Sequence, residues 1–223
     1  MTDLTEALIT KRFAGMVLDA PTHESALDDA WSNGLRKQFL SELDASGRDL
    51  WVFSYGSLLW QGEVDTPEHH RAVVHGWHRR FCLLQWAWRG DLNHPCLMLA
   101  LDRGGCCHGR VYRVPGPNVS EAMAEVWDRE MSGDGYRPRW VRAKSEDQVR
   151  TALTFVMHRS GDRYAGRLSD AETAALIAKA CGHAGACAEY LRRTQRALQA
   201  LGISDHHLNR LEKLVACNLE HCT

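Results

Sequence analysis

The spacing of hydrophobic residues changes sharply near residue 50. In residues 1–48, apolar side chains recur at helical spacing in two patches, 4–17 and 35–43, which a turn-like segment at 20–23 separates. This pattern predicts a helical N-terminal arm over residues 1–48. The remainder, 49–223, has a different pattern and is expected to form the main domain of the protein, including its C-terminal helices.

Short apolar runs follow the arm, and Gly, Pro, Asp and Asn residues bound them. Runs of this length between turn-forming residues are typical of β-strands, and their spacing predicts an antiparallel or mixed sheet. The predicted strands are 51–55, 71–75, 79–85, 97–101, 110–114, 140–144 and 152–158.

Helical spacing returns in two later segments. A helix is predicted over 119–131, with a capping sequence at Asn118 and an end before Gly133. Residues 169–222 are rich in Ala and Leu at a period near 3.6, which predicts two or three helices packed on the sheet. The chain is therefore expected to have an α+β fold, and no linker or repeat divides it, so one compact unit is favoured.

The composition is that of a globular protein and favours small-molecule chemistry. Hydrophobic residues make up 44% and charged residues 25% of 223 positions, which is enough to bury a core. With 27 basic and 28 acidic residues, no positive surface is indicated for nucleic acid or an anionic membrane. Charges interrupt every apolar stretch, so no membrane-spanning segment is expected.

Eight cysteines raise the question of disulfides or zinc. They show no regular framework, and the N-terminus lacks the apolar run of a signal peptide, so reduced thiols in a cytoplasmic protein are expected. Two groups, Cys181 with His183 and Cys187 and Cys217 with His221 and Cys222, lack the paired spacing of structural zinc sites. Buried thiols are the favoured account, and no metal or other cofactor is predicted.

One candidate site is the segment 53–60, an apolar strand that a small, flexible patch interrupts. Gly56 allows the backbone to approach a ligand closely, and such a turn can direct consecutive N–H groups at a carboxylate or a developing oxyanion. The alternative is an ordinary turn between a strand and a helix. The candidate substrate-binding residues are Ser54, Tyr55, Gly56, Ser57, Leu58 and Leu59.

A second candidate is Glu130, near the C-terminus of the predicted helix over 119–131. It follows Met123 by seven residues and Trp127 by three, so it shares their apolar face. A carboxylate in that position either serves chemistry or forms an ion pair with Arg129, Arg137 or Arg139. Spacing alone does not decide between these alternatives.

Together these segments resemble the ChaC-like γ-glutamylcyclotransferases. The family has a YGSL-type loop early in the domain and an RE…GY segment on a later helix, and the similarity covers roughly residues 50–215. The matching residues are Tyr55, Gly56, Ser57, Leu58 and Trp60, then Arg129, Glu130, Gly135 and Tyr136, with the segments 75–81, 97–101, 109–112, 137–141 and 190–194.

The resemblance implies a compact, mixed or antiparallel β-barrel with flanking helices and no cofactor. It also implies glutathione as the substrate and 5-oxoproline and Cys-Gly as the products. Glu130 is then the catalytic base, which takes a proton from the substrate's α-amino group and later delivers one to the departing amine. Residues 54–59 are expected to hold the substrate, and Tyr136 to donate a hydrogen bond at the same site.

Some segments depart from the family pattern. Residues 89–94 differ from the usual Arg-Gly-Thr-Pro sequence, which leaves a cyclotransferase for other γ-glutamyl dipeptides or amines as an alternative. A non-catalytic γ-glutamyl-binding regulatory module is another, although binding alone needs no base at Glu130. A thiol-rich redox or metal-binding protein is a third. The sequence leaves protein partners unknown.

Overall fold

Five strands form a closed barrel in the computed structural model, which describes residues 3–16, 29–44, 47–60, 68–131, 133–146 and 148–221. The order of the strands around the barrel is β1, β3, β2, β4, β5. Their bounds are Leu50–Ser54 (β1), His69–Gln85 (β2), Cys96–Val114 (β3), Tyr136–Ser145 (β4) and Gln148–Met157 (β5). A short pair, Cys181–Gly182 (β6) and Gly185–Ala186 (β7), lies outside the barrel.

The barrel contains both antiparallel and parallel pairs. β1 runs antiparallel to β3, with Val52 opposite Tyr112 and Ser54 opposite Arg110. β1 also pairs in parallel with β5, where Val52 lies opposite Leu153. β4 and β5 form an antiparallel hairpin. The predicted mixed sheet is therefore confirmed, and the parallel contact between β1 and β5 closes it.

Two of the strands are longer than the sequence predicted. The runs 71–75 and 79–85 belong to one strand, β2, and the runs 97–101 and 110–114 belong to β3. The prediction of four separate strands was wrong, because the polar residues between the runs remain in extended backbone. Gly76, with φ at +82°, and Gly104, with φ at +101°, adopt conformations that other residues rarely take, which lets each strand continue through a local irregularity.

The helices agree with the predicted segments. Their bounds are Glu6–Arg12 (α1), Asp29–Asp44 (α2), Val119–Glu130 (α3), Asp170–Lys179 (α4), Cys187–Ala200 (α5) and His206–His221 (α6). Three helices in the tail confirm the prediction for 169–222, and flanking helices around a barrel confirm the α+β class. The turn expected at 20–23 lies outside the described residues.

The chain divides into two compact units. One contains residues 25–80 and 100–162, with α2, α3 and most of the barrel; the other contains 1–24, 81–99 and 163–223, with α1 and the three tail helices. The two helices of the expected N-terminal arm are thus grouped with different units. A separate arm over 1–48 beside a domain over 49–223 stays a prediction.

The core of the first unit fixes the position of α3. Trp127 is buried between Phe39 of α2 and Phe155 of β5, with ring centroids 5.9 Å away in both cases. Burial of an aromatic side chain of this size is a large apolar contribution to stability. The buried cluster consists of Leu40, Leu50, Val52, Leu58, Tyr112, Val114, Val119, Met123, Val126, Trp127, Met131, Leu153 and Phe155.

Candidate active site

The loop after β1 is a tight turn with unoccupied amides. Gly56 precedes a short 3-10 helix over Ser57–Leu59, and the Leu59 amide donates to the Gly56 carbonyl at 2.9 Å. Within the described part of the chain, the amides of Gly56, Ser57 and Leu58 have no hydrogen-bond acceptor. In the predicted binding loop, these three N–H groups are thus not used by the turn itself, whereas Leu59 uses its own to close it.

Side chains from distant strands hold this loop in place. The hydroxyl of Tyr55 donates to the Phe155 carbonyl at 2.7 Å, and the Tyr55 carbonyl accepts from Nε of Arg79 at 2.6 Å. Arg79 is 6% exposed and also donates through Nη2 to the His108 carbonyl at 2.5 Å. A buried guanidinium that bridges two carbonyls ties the loop to β3. Sequence reasoning gave Arg79 no role of its own.

A close approach of β1 to β3 sets the start of the loop. Ser54 is fully buried, and its Oγ donates to the Arg110 carbonyl at 3.2 Å. A Cβ at Gly109 would overlap the Ser54 carbonyl oxygen and lie 2.8 Å from the Phe53 ring. Only glycine fits at this position without displacing the end of β1.

Glu130 is the last residue of α3, on the face that Met123 and Trp127 bury. Its side chain is 10% exposed, and its Oε1 accepts from Nη2 and Nε of Arg129 at 3.1 and 3.2 Å. The carboxylate therefore lies on the apolar face, as predicted, and it also forms the alternative ion pair with an arginine, Arg129. Burial raises the pKa of Glu130 above its ordinary value, and the charge and hydrogen bonds of Arg129 offset part of that rise.

Tyr112 and Arg110 lie beside these groups on β3, and sequence reasoning assigned neither to the site. Burial and then the Glu130 charge raise the pKa of Tyr112. Burial lowers the pKa of Arg110, whose Nη2 donates to the Leu58 carbonyl at 3.4 Å. From the sequence, the run 110–114 was predicted only as a strand. In the structure, the Tyr112 hydroxyl and Nε of Arg110 are buried without a hydrogen-bond partner among the described residues.

Tyr136 begins β4, six residues after Glu130. Its half-buried ring packs against the same core cluster. The preceding turn is tied to the end of β5, because the His158 amide donates to the Gly135 carbonyl at 2.9 Å. Tyr136 thus belongs to the same unit as Glu130 and the loop at 54–59. A hydrogen bond from Tyr136 to a substrate stays a prediction.

The segment 89–94 belongs to the other unit, where its arginine has a structural role. Arg89 is 5% exposed and donates through Nη1 to the Ala186 carbonyl at 3.0 Å and to Glu189 at 3.3 Å. These contacts fix Arg89 against the start of α5. A role for this segment in recognising the second half of a substrate stays a prediction.

Within the described ranges of the chain, no group of three or more His, Cys, Asp and Glu side chains could hold a metal ion. No helix there has the length and apolar character needed to cross a bilayer. The seven cysteines in those ranges are free thiols, and Cys222 lies outside them.

The barrel strands, the glycine turn and the buried Glu130 all lie within the part of the chain that matches a known protein family. The family described as ChaC-like protein matches residues 50–218. The chain belongs to the ChaC-like family.

Similar proteins agree with this membership. The glutathione-specific gamma-glutamylcyclotransferase of Escherichia coli K12 is 34% identical over 221 residues, which cover 95% of each protein. The glutathione-specific gamma-glutamylcyclotransferase 1 of Mus musculus is 32% identical over 75% of this chain and 78% of that protein. A crystal structure of the glutathione-specific enzyme from yeast superposes with a TM-score of 0.70 at 21% identity, covering 77% of this chain and 97% of that one, which confirms the fold.

Proposed function

We propose that this protein is a glutathione-specific γ-glutamylcyclotransferase. The observation that carries the proposal is the buried, pKa-raised carboxylate of Glu130 in the same barrel unit as a turn with three available amides. Family membership and 34% identity to a glutathione-specific enzyme over nearly the whole chain support the same activity. The reaction cleaves glutathione to 5-oxoproline and Cys-Gly.

The substrate carries its own nucleophile. The α-amino group of a γ-glutamyl residue can reach the γ-carbonyl carbon and close a five-membered lactam. A well-oriented intramolecular attack of this kind corresponds to an effective concentration of roughly 10⁵ to 10⁸ M, so holding the substrate bent supplies much of the acceleration. The protein then needs to move protons and stabilise charge.

Glu130 moves the protons in this proposal. The α-ammonium has an ordinary pKa of about 8, so near neutral pH it must lose a proton before nitrogen can attack. Because burial raises the pKa of Glu130, its carboxylate is a stronger base than that of an exposed glutamate, and the proton that it takes up is then held for delivery to the departing amine. The charge and hydrogen bonds of Arg129 lower that pKa and so favour the ionised carboxylate, which is the form that accepts a proton.

The atoms balance without water. A C–N bond forms between the α-nitrogen and the γ-carbon, and the amide bond to the cysteinyl nitrogen breaks. The α-nitrogen loses two protons and the cysteinyl nitrogen gains two, and Glu130 transfers them in turn. The amides of Gly56, Ser57 and Leu58 bind the α-carboxylate of the substrate, while the fixed position of the loop keeps the γ-glutamyl group bent.

The test is release of 5-oxoproline from three compounds by the purified full-length protein. Glutathione is expected to react. Glutathione acetylated on its α-amino group is the matched control, and it is expected not to react because its nitrogen cannot attack. Faster release from γ-Glu-Ala than from glutathione would assign the broader γ-glutamyl specificity. No release from either peptide would contradict the enzymatic function and favour a binding module.

A further inference from the structure

Tyr112 has a buried hydroxyl with no hydrogen-bond partner among the described residues. The residue is 4% exposed, and its Oη is inaccessible to solvent. A buried polar group left unpaired costs about 1–3 kcal/mol, and most such groups in native proteins are paired. A phenylalanine would fill the same space without this cost. We therefore expect a bound ligand to supply the hydrogen-bond partner of this hydroxyl.

Tyr112 packs in the core that supports both parts of the candidate site. Its ring belongs to the buried cluster that contains Leu58 of the loop and Trp127 and Met131 next to Glu130. On β3 it lies opposite Val52, two residues before Ser54 begins the loop. The side chain thus contacts a core that the loop and the catalytic helix have in common.

We propose that Tyr112 is a second catalytic residue, whose hydroxyl donates a hydrogen bond to the γ-carbonyl oxygen of the bound γ-glutamyl substrate. This inference rests on the proposed function. As the α-nitrogen attacks, that oxygen takes the electron pair of the carbonyl and becomes anionic. The hydrogen bond strengthens at that moment and weakens again when the carbonyl reforms and the cysteinyl nitrogen leaves.

The charges around Tyr112 suit a donor. Burial and the Glu130 carboxylate raise the pKa of its phenol, so the group keeps its proton throughout the physiological range. Arg110, two residues earlier, lies on the same face of β3 because side chains alternate along a strand. Its guanidinium interacts with Tyr112 and adds positive charge near the place where negative charge develops.

The test compares Tyr112→Phe with the wild-type protein for both kinetics and stability. Removing one oxyanion donor lowers kcat by about 10² to 10³-fold, and we expect a loss of that order with little change in KM. Because the hydroxyl has no partner among the described residues, the midpoint of thermal unfolding should be unchanged or higher in the variant. Tyr190→Phe is the matched control, since Tyr190 is also buried but lies on α5 in the other unit; its kcat should equal that of the wild type.

Three results would overturn the proposal. An unchanged kcat in Tyr112→Phe, with an active wild type, would contradict the role of Tyr112 but not the proposed function. A lower unfolding midpoint would show that the hydroxyl has a structural partner in the free protein. Absence of 5-oxoproline release by the wild type would overturn both this proposal and the proposed function.

Discussion

Two buried tyrosines of the barrel unit, Tyr55 and Tyr112, have opposite hydrogen-bonding environments. The hydroxyl of Tyr55 is satisfied by the Phe155 carbonyl, and its backbone is held by Arg79. The hydroxyl of Tyr112 has no partner in the described chain, and it lies near a carboxylate, Glu130, that burial makes harder to ionise. Hydrogen bonds fix the loop in place, whereas the region around Glu130 contains a buried hydroxyl, that of Tyr112, whose burial without a partner costs stability.

This difference indicates that one region positions the substrate and the other stabilises charge in the proposed reaction. Preorganisation requires that the binding loop be fixed before the substrate arrives, so its supporting hydrogen bonds are complete. In the proposed mechanism, the Tyr112 hydroxyl stabilises charge by gaining a partner only when substrate binds, which agrees with its lack of a partner among the described residues. Substitutions in the first region should therefore change stability and KM, and substitutions in the second should change kcat.

The largest stability effect is expected at Gly109. An alanine there would push against the Ser54 carbonyl and the Phe53 ring, which should lower the free energy of unfolding by about 1–3 kcal/mol and raise KM. Chemical denaturation measures the change. Gly34→Ala in α2 is the control, because a Cβ at that glycine meets no atom within 4 Å. Equal stabilities of the two variants would contradict the requirement for a close approach of β1 to β3 at Gly109.

Tyr55→Phe tests the same region more gently. The hydrogen bond to the Phe155 carbonyl is lost, so the free energy of unfolding should fall by about 0.5–1.5 kcal/mol. The loop loosens, and KM for glutathione should rise more than kcat falls. Set beside Tyr112→Phe, the pair should give opposite patterns in thermal unfolding and in kcat. Identical patterns would break the comparison between the two regions.

The smallest effect is a shift in pH dependence from Arg129→Met. Arg129 lowers the pKa of Glu130, so its loss should raise that pKa further and move the acidic limb of kcat/KM to higher pH. Arg129→Lys keeps a positive charge and should move the limb less. A shift to lower pH in the methionine variant would mean that the limb does not report Glu130.

Local patterns in the sequence were enough to predict α3 and the side of the helix on which Glu130 lies. Met123, Trp127 and Glu130 follow helical spacing, and the structure places the first two in the core. The glycine turn at 56 was also visible locally. In both cases the signal lies within a few residues of the feature that it predicts.

The supporting contacts could not be predicted because they join distant parts of the chain. Arg79 reaches Tyr55 across 24 positions, and Tyr55 reaches Phe155 across 100. The environment of Tyr112 depends on the register of β1 against β3 and on the packing of α3, neither of which short-range spacing determines. For the same reason two long strands, interrupted by polar residues, were predicted as four.

The most direct measurement is the rate of 5-oxoproline release by Glu130→Gln, beside Glu125→Gln as an exposed control on the same helix. Loss of the proposed general base should lower kcat by about 10² to 10⁴-fold, whereas the control should match the wild type. The folded state binds the Glu130 proton more tightly than the unfolded state, so ionisation at neutral pH disfavours folding and the glutamine variant should unfold no more easily. A Glu130→Gln protein that releases 5-oxoproline at the wild-type rate would contradict the account.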